Sequence, residues 1–395
     1  MSQQLRESPG DAIQELVRRR LVPAFPEFLQ CRSTAELHAH PLYRELESDI
    51  RLALDTPQTG DFRKRPASVR KSYRCVAWNI ERGTQLEGQL KALIEDPYLR
   101  EADVLLLTET DVGMARSGNI DIARHMAQEL GMCYAFVPCY LSLVKGSGVE
   151  RNVSGENTVG MHGNAILSRY PIRDVRPIHL ENGIDKVAAN EKRLGQQTTI
   201  AAVIDLPQQS VAAASIHLCA QSTQRHRMLQ MKTVLDALPA GGPAVIGGDW
   251  NTSTYDTSHA FYAIMGFWRR VLMGVGHVIR NHYRYPENYF ERDLFQLLES
   301  RGFDYRNANV LGAHTVHYDV ADARAEGSLR EWVPEWCFAF IHWSLREHGG
   351  RCPFKLDWLA VRGLEPSQPR VVHEKRDRTH APLSDHDAIG VDVRF

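Results

Sequence analysis

No stretch of this sequence approaches the roughly 20 consecutive apolar residues that a bilayer-spanning helix needs. The opening, MSQQLRESPGDAIQELVRRR, lacks the apolar core of a secretory signal, so a cytoplasmic location is the expectation. Cysteine is sparse. Cys31, Cys75, Cys133, Cys139, Cys219, Cys337 and Cys352 are odd in number and contain no Cys-x-x-Cys pair, which argues against a disulfide framework or a thiolate metal site. Excess charge of one sign is missing as well: the formal net charge is -1. A sequence-independent nucleic-acid binder ordinarily carries a strong positive balance, so this near-neutrality lowers the case for such a substrate without excluding it. There is no internal repeat.

What is present is an ordinary soluble composition, 43% apolar and 24% charged, in a chain of 395 residues, enough for one large domain or two smaller ones. Residues 1–72 read as an N-terminal helical extension and basic linker, with Ala12, Ile13, Leu16, Val17 and Leu21 at helical spacing. The linker carries Arg63, Lys64, Arg65, Arg70, Lys71 and Arg74. It is either a solvated run or a phosphate-steering edge. From Tyr73 onward strands and helices alternate: CVAWNI, a helix from about Gln85 to Ile94, ADVLLLTE, a helix from Ile122 to Leu130, YAFVPCY, GNAILSRYP, TTIAAVIDLP, SVAAASIHL, a helix from Gln224 to Leu238, PAVIGGDWN, KLDWLAV and AIGVDVRF. The rhythm predicts an α/β (α+β) fold. A stretch at about 255–350, rich in aromatics and histidines (Tyr283, Tyr289, His314, Trp332 and Trp336 among them), interrupts it as an insert.

Polar residues recur where apolar strands end: Asn79 and Glu81, Glu109, His217, Asp249 with Asn251, and Asp385 with His386. One such residue is only a strand end meeting solvent; several with complementary chemistry suggest convergence on one site. Glu109, straight after an apolar run, needs a cation or hydrogen-bond donors to remain ionised there. An oxygen ligand of this kind suits Mg²⁺. Asp249 and Asn251, one residue apart, point the same way on an extended chain, although an Asx turn is the common alternative. Asp357, on a neighbouring strand, is placed to orient His386, repeating the carboxylate–imidazole pairing of hydrolases.

These residues together resemble a known family. Trp78-Asn79-Ile80, Thr108-Glu109, Gly163-Asn164-Ala165-Ile166-Leu167-Ser168-Arg169, Ile216-His217-Leu218, Gly248-Asp249-Trp250-Asn251, Leu356-Asp357-Trp358 and Ser384-Asp385-His386 stand in the order of the endonuclease/exonuclease/phosphatase superfamily. The resemblance implies a four-layer sandwich of two packed mixed β-sheets flanked by helices over residues 73–395. It implies a divalent-metal-dependent phosphoesterase, with Mg²⁺ (Mn²⁺ or Ca²⁺ as alternatives) held by Glu109 and Asn79 and, further out, by Asp385 and Glu81. Asp249 would activate the attacking water, and Asn251 would hold a phosphoryl oxygen. His386, paired with Asp357, would stabilise the phosphoryl charge or act as base, and His217 would contact the phosphate or protonate the leaving oxygen. Asn164, Arg193, Glu156 and His162 are candidate substrate contacts, with Glu156 a partner for His217. The expected substrate is a phosphate ester: small, lipid-linked with its apolar group against the insert's aromatics, or a nucleic acid tracked by Arg63–Arg74, Arg151, Arg169 and Arg193. A non-catalytic scaffold is the alternative that the retained site residues disfavour.

Overall fold

The computed structural model of the chain describes residues 9–64, 66, 68–252, 256, 259–319, 336–373 and 382–395. Its strands are β1 Gln58–Asp61, β2 Tyr73–Arg82, β3 Val104–Val112, β4 Cys133–Ser142, β5 Met161–Ser168, β6 Ile172–His179, β7 Arg193–Gly195, β8 Thr198–Asp205, β9 Ser210–Ser215, β10 Ala244–Asp249, β11 Val316–Asp319, β12 Arg351–Phe354, β13 Asp357–Arg362, β14 Glu365–Val372 and β15 Ala388–Arg394. The longer helices are α1 Pro9–Leu16, α2 Pro41–Asp55, α3 Leu86–Glu95, α4 Ile122–Leu130, α5 Gln224–Ala237, α6 Ala260–Met273, α7 Arg292–Ser300 and α8 Trp336–Leu345. Among the described residues no helix is long and apolar enough to cross a membrane.

Two mixed sheets pack face to face. The larger runs β1-β4-β5-β3-β2-β15-β14, with β7 on β4, and the smaller runs β13-β10-β9-β8-β6. Among the described residues only β2 with β3 and β9 with β10 pair in parallel. The apolar runs of the central strands explain the layering, because alternate side chains leave opposite faces and both faces are covered. Cys75, Ala77, Val104 and Leu106 fill the space between the sheets, where Val245 and Leu359 meet them from the smaller sheet. Val76, Trp78, Leu105 and Leu107 face the other way, onto α1–α4. On the far side of the smaller sheet, Ile246 and Trp358 meet Met231 and Leu235 of α5 and Leu294 and Phe295 of α7. The result is the four-layer sandwich.

The N-terminal region is helical, yet it is no appendage. β1 pairs with β4 as an edge of the larger sheet, Gln58 opposite Phe136. Ile13, Val17, Leu21 and Ile50 share one apolar cluster with Phe136 and Leu194. Three arginines of the basic linker pair with nearby acids, and Arg65 lies outside the described residues. Arg63 pairs with Asp61, Arg70 lies 3.3 Å from Asp103, and Arg74 reaches Asp392 at 2.7 Å. Arg74 sits at the start of β2, roughly 16 Å before Asn79 at ~3.3 Å per strand residue, so this run lies away from the strand ends where the polar residues gather.

The stretch at 255–350 divides: α7 and the residues after it, Phe303 and Tyr305, belong to the core of the sandwich, while other described parts build a satellite body. β11 and β12 form a two-stranded sheet, and Val278, Ile279, Tyr283, Leu345 and Cys352 form a separate apolar cluster. Trp332 lies outside the described residues.

Candidate active site

The C-terminal ends of β2, β3, β9 and β10 and the starts of β13 and β15 meet at one end of the sandwich, which follows from the parallel and antiparallel pairings just given. Register does part of the aiming. Across β10 and β13, Asp249 stands opposite Asp357. Gly248, at φ 133°, lets β9 come close, since a Cβ there would sit 2.3 Å from the Ile216 carbonyl oxygen. Irregularity does the rest. The β2–β3 ladder shifts between Asn79 and Arg82, and the β3–β5 ladder shifts between Leu107 and Thr110. Glu81, Arg82, Glu109 and Asn251 all take left-handed φ values, from 46° to 66°. Such conformations cost about 1–3 kcal/mol each in non-glycine residues and gather at functional sites.

Asp249 is the hub. Its Oδ2 lies 3.4 Å from His217 Nε2 and 3.7 Å from His386 Nε2, and it accepts a hydrogen bond from Asn79 Nδ2 at 3.2 Å. Its Oδ1 accepts the Asn251 backbone N–H at 2.9 Å. The Asp249–Asn251 segment is therefore an Asx-type turn rather than an extended pair. Asn251 turns back through its left-handed φ, and its amide donates to the Leu218 carbonyl and to Asp249. His386 Nδ1 lies 2.8 Å from Asp357 Oδ2. Asp357 is fixed in turn by a hydrogen bond from its N–H to Thr315 Oγ1, while its Oδ1 is buried with no hydrogen-bond partner among the described residues. Ser384 ties the segment down: its hydroxyl donates to the Asn79 carbonyl at 2.7 Å and accepts the His386 N–H at 3.1 Å.

The electrostatics separate these groups. Burial pushes the Asp249 carboxyl up to about 6, with the imidazoles of His386 and His217 pulling the other way. For His386, burial favours the neutral ring, but Asp357, Asp249 and Asp385 outweigh it and raise its pKa well above the usual histidine value. Burial lowers that of His217. Glu109 is half-buried, and although desolvation would raise its carboxyl, Arg82 and the imidazoles of His217, His162 and His386 hold it far below the ordinary range.

Asp249, Asp357 and His386 bring one ligand atom each within 4.8 Å of the others, a grouping able to hold a metal ion. Glu109 stands beside that grouping, joined to it by Asn79, whose Nδ2 lies 3.2 Å from both Glu109 Oε1 and Asp249 Oδ2. The Asn79 Oδ1 accepts the Glu81 N–H. Asp385 is exposed, its Oδ1 at 3.4 Å from the Ser384 hydroxyl, and acts on the site through the charge it presents to His386.

The expected substrate contacts fall differently. His162 is buried, 2.8 Å from Asp111, and its charge reaches Glu109. Asn164 is an interior tie: its amide donates to the Thr198 carbonyl at 2.7 Å, joining the two sheets. Arg193 is paired with Glu191 and lies over the Tyr140 ring. Glu156 is exposed and faces Lys145 at 3.7 Å, so the carboxylate beside His217 is Asp249. Arg169 caps the Arg100 and Ala102 carbonyls near Arg70 and Asp103, whereas Arg151 donates to the Asn190 carbonyl next to the Glu191 that Arg193 binds, so these arginines fall into two separate groups. Sequence reasoning missed the charge network flanking the site, in which Arg116 binds Asp111, Glu150 and Glu191 and Arg82 faces Glu109 and Glu150. Its one local signal was Asp111, two residues after Glu109 on the same strand.

Comparison with known proteins defines the class. The model of the Endonuclease/Exonuclease/phosphatase family matches residues 76–351, most of the chain, and the chain belongs to that family. At the level of individual proteins it is 33% identical over 109 residues to the Uncharacterized protein YbhP of Escherichia coli K12, a match covering 27% of this chain and 40% of that protein, and equally to its Shigella flexneri counterpart. The chain thus spans about two fifths of the length of these curated relatives. Among solved structures it is similar to an endonuclease/exonuclease/phosphatase from Beutenbergia cavernae, at TM-score 0.48 and 15% identity, over 82% of this chain and 72% of that one. It is also similar to the human Nocturnin catalytic domain with bound sulfate, at TM-score 0.44 and 14% identity, over 85% and 97%.

Proposed function

We propose that the protein hydrolyses a phosphate ester, most naturally a phosphodiester, with water as nucleophile and a divalent cation as cofactor. The observation that carries this reading is the constellation around Asp249: one buried carboxylate flanked by two imidazoles, with Asp357 behind one of them and the Asn79–Glu109 pair alongside. Asp249, lifted to about 6 by burial, is a proton acceptor matched to neutral pH and able to deprotonate water. His386, kept cationic by Asp357 and Asp249, offers positive charge to phosphoryl oxygens. His217, across from it, is the group nearest to serve the leaving oxygen.

The donor set fits a hard cation. Glu109 is held ionised, Asn79 links it to Asp249, and Asp357 Oδ1 is a buried acceptor without a donor among the described residues. Glu109 would hold the ion, and Asn79 would join it through Oδ1 on turning its amide over, since its Nδ2 faces Glu109 here. When bound it would neutralise charge developing on the phosphoryl group. Mg²⁺ is the expected ion.

A substrate with an apolar portion is favoured over a polynucleotide. Of the arginines that would track a phosphate backbone, Arg70, Arg74 and Arg169 are engaged by Asp103, Asp392 and the Ala102 carbonyl. The insert meanwhile exposes Phe261, Tyr262, Met265 and Leu272 on α6 and Trp336 and Trp343 on α8. The test is hydrolysis of a panel of phosphodiesters and phosphomonoesters, sphingomyelin, inositol phosphates, DNA and RNA by wild type and Asp249→Asn, with Mg²⁺ or with chelator. Turnover abolished by both chelation and substitution is the expected result. Turnover indifferent to the substitution would sink the reading.

A further inference from the structure

A second cluster of metal-binding side chains lies outside this constellation. His314, in the loop before β11, His373, at the exit of β14, and Asp387, just before β15, bring one ligand atom each within 4.8 Å of the others. His373 Nδ1 is 2.8 Å from Asp387 Oδ2, and the His314 and His373 rings stand 4.7 Å apart, tilted by 34°. Three separate segments supply the groups, and backbone contacts fix how those segments meet. The Asp387 N–H donates to the Thr315 carbonyl at 2.7 Å, Val316 bridges His386, and Val372 pairs with Ala388. The side chains are therefore brought together by the frame. Asp387 is nearly buried, whereas His373 is open to solvent, so a path for an ion exists.

The chemistry of the set selects the ion. Two imidazoles and one carboxylate make an N₂O donor group, which suits Zn²⁺ and its transition-metal relatives and leaves a position for water. Mg²⁺ and Ca²⁺ prefer oxygen alone. Tetrahedral ligands at ~2.0–2.2 Å from a metal lie roughly 3.3–3.5 Å from one another, so the 2.8 Å contact needs only a small widening as the ion replaces the proton between His373 and Asp387.

We propose that His314, His373 and Asp387 form a second divalent-metal site of the zinc type, which clamps the insert to the segment carrying His386. Asp387 and His386 are consecutive and on an extended chain point to opposite faces, so an ion on one face steadies the imidazole on the other. The assignment does not depend on the phosphoesterase reading.

The test is titration of the chelator-stripped full chain with Co²⁺ in millimolar Mg²⁺, following visible ligand-field absorption and bound metal per chain. The expected result is one Co²⁺ per chain that persists in Asp249→Asn and is weakened at least about tenfold, on the scale of losing a supporting ligand, in both His373→Ala and His314→Ala. His373 is largely exposed, so its replacement leaves the fold intact, and circular dichroism checks this. No bound Co²⁺ in the wild-type chain, binding indifferent to both histidine substitutions, or binding lost in Asp249→Asn instead would each overturn the assignment.

Discussion

Two buried clusters of charge sit side by side at the same end of the sandwich, and they are built on opposite plans. Around Arg116, one guanidinium satisfies Asp111 through two hydrogen bonds and reaches Glu150 and Glu191 at 3.1 and 3.0 Å, with His162 against the same aspartate. Burial would raise the Asp111 and Glu191 carboxyls, but the adjacent arginines overcome it and hold both below the usual range. Around Asp249 the positive partners are imidazoles. Burial prevails there, the carboxyl rises to about 6, and Asp357 keeps an acceptor oxygen without a donor among the described residues. The first cluster has its carboxylates matched by guanidinium groups, and what it leaves unmet is donors, Arg82 Nε and Arg193 Nε being buried without hydrogen-bond partners among the described residues. The second keeps unmet demand, which a proton, a cation or a substrate can supply. Polar burial alone therefore does not mark an active site; unbalanced polar burial does.

The hardest way to break the contrast is to unbalance the first cluster. Arg116→Met should strand its carboxylates in the interior and cost on the order of 3–5 kcal/mol of stability, as removal of one partner from a buried ion pair does. Urea unfolding of the two proteins measures it. A loss under about 1 kcal/mol, the range of exposed pairs, would mean that the network is solvated and the contrast is false.

Next in size is the loss of activity at the second cluster. Asp249→Asn keeps the shape and removes the charge and the proton acceptor, so turnover should fall on the order of a hundredfold to a thousandfold. Stability should hold or rise, because the carboxylate is in an environment that resists its ionisation. Asp357→Asn acts one step back, by withdrawing the charge that keeps His386 protonated. It should cost roughly tenfold to a hundredfold in turnover, the usual scale for a supporting partner. A larger loss in Asp357→Asn than in Asp249→Asn would reverse the assignment of hub and support.

Much of the second cluster was legible in the sequence because strand ends announce themselves: an apolar run stops, and a polar residue follows. Asn79, Glu109, His217 and Asp249 stand at such positions, whereas His386 precedes its strand, β15; the packed sheets flanked by helices were an implication of the family resemblance, with which the split of Cys75 and Ala77 from Val76 and Trp78 agrees. The first cluster was not legible, because Arg116, Glu150 and Glu191 come from loops whose meeting depends on tertiary packing. Asn164 and Arg193 misled for a related reason. Their side chains are polar and near the site in sequence order, yet one satisfies the Thr198 carbonyl between the sheets and the other is engaged by Glu191 and Tyr140. The Asx turn at Asp249 was one of two readings the sequence left open, since nothing local shows that Asn251 takes φ 50°.

The smallest expected effect is a difference in sign, and it sharpens the contrast most. Asp111 and Glu191 have depressed pKa values in the folded chain, so the stability they contribute is present above the ordinary carboxylate range and is lost as pH falls below ~4. Asp249 runs the other way. Its carboxyl is raised from 3.8 to about 6, so its contribution is full below the unfolded value and is lost as pH rises through the folded one. The groups facing it are His217, His386, Asp357, Asn79 and Asn251. Only Asp249 is removed in Asp249→Asn, so the melting temperature of that variant minus that of wild type, measured in chelator, should climb between about pH 4 and pH 6 and then level. A flat difference across that window would mean that Asp249 is ionised throughout and as well matched as Asp111, and the distinction between a balanced cluster and a poised one would then have to rest on turnover alone.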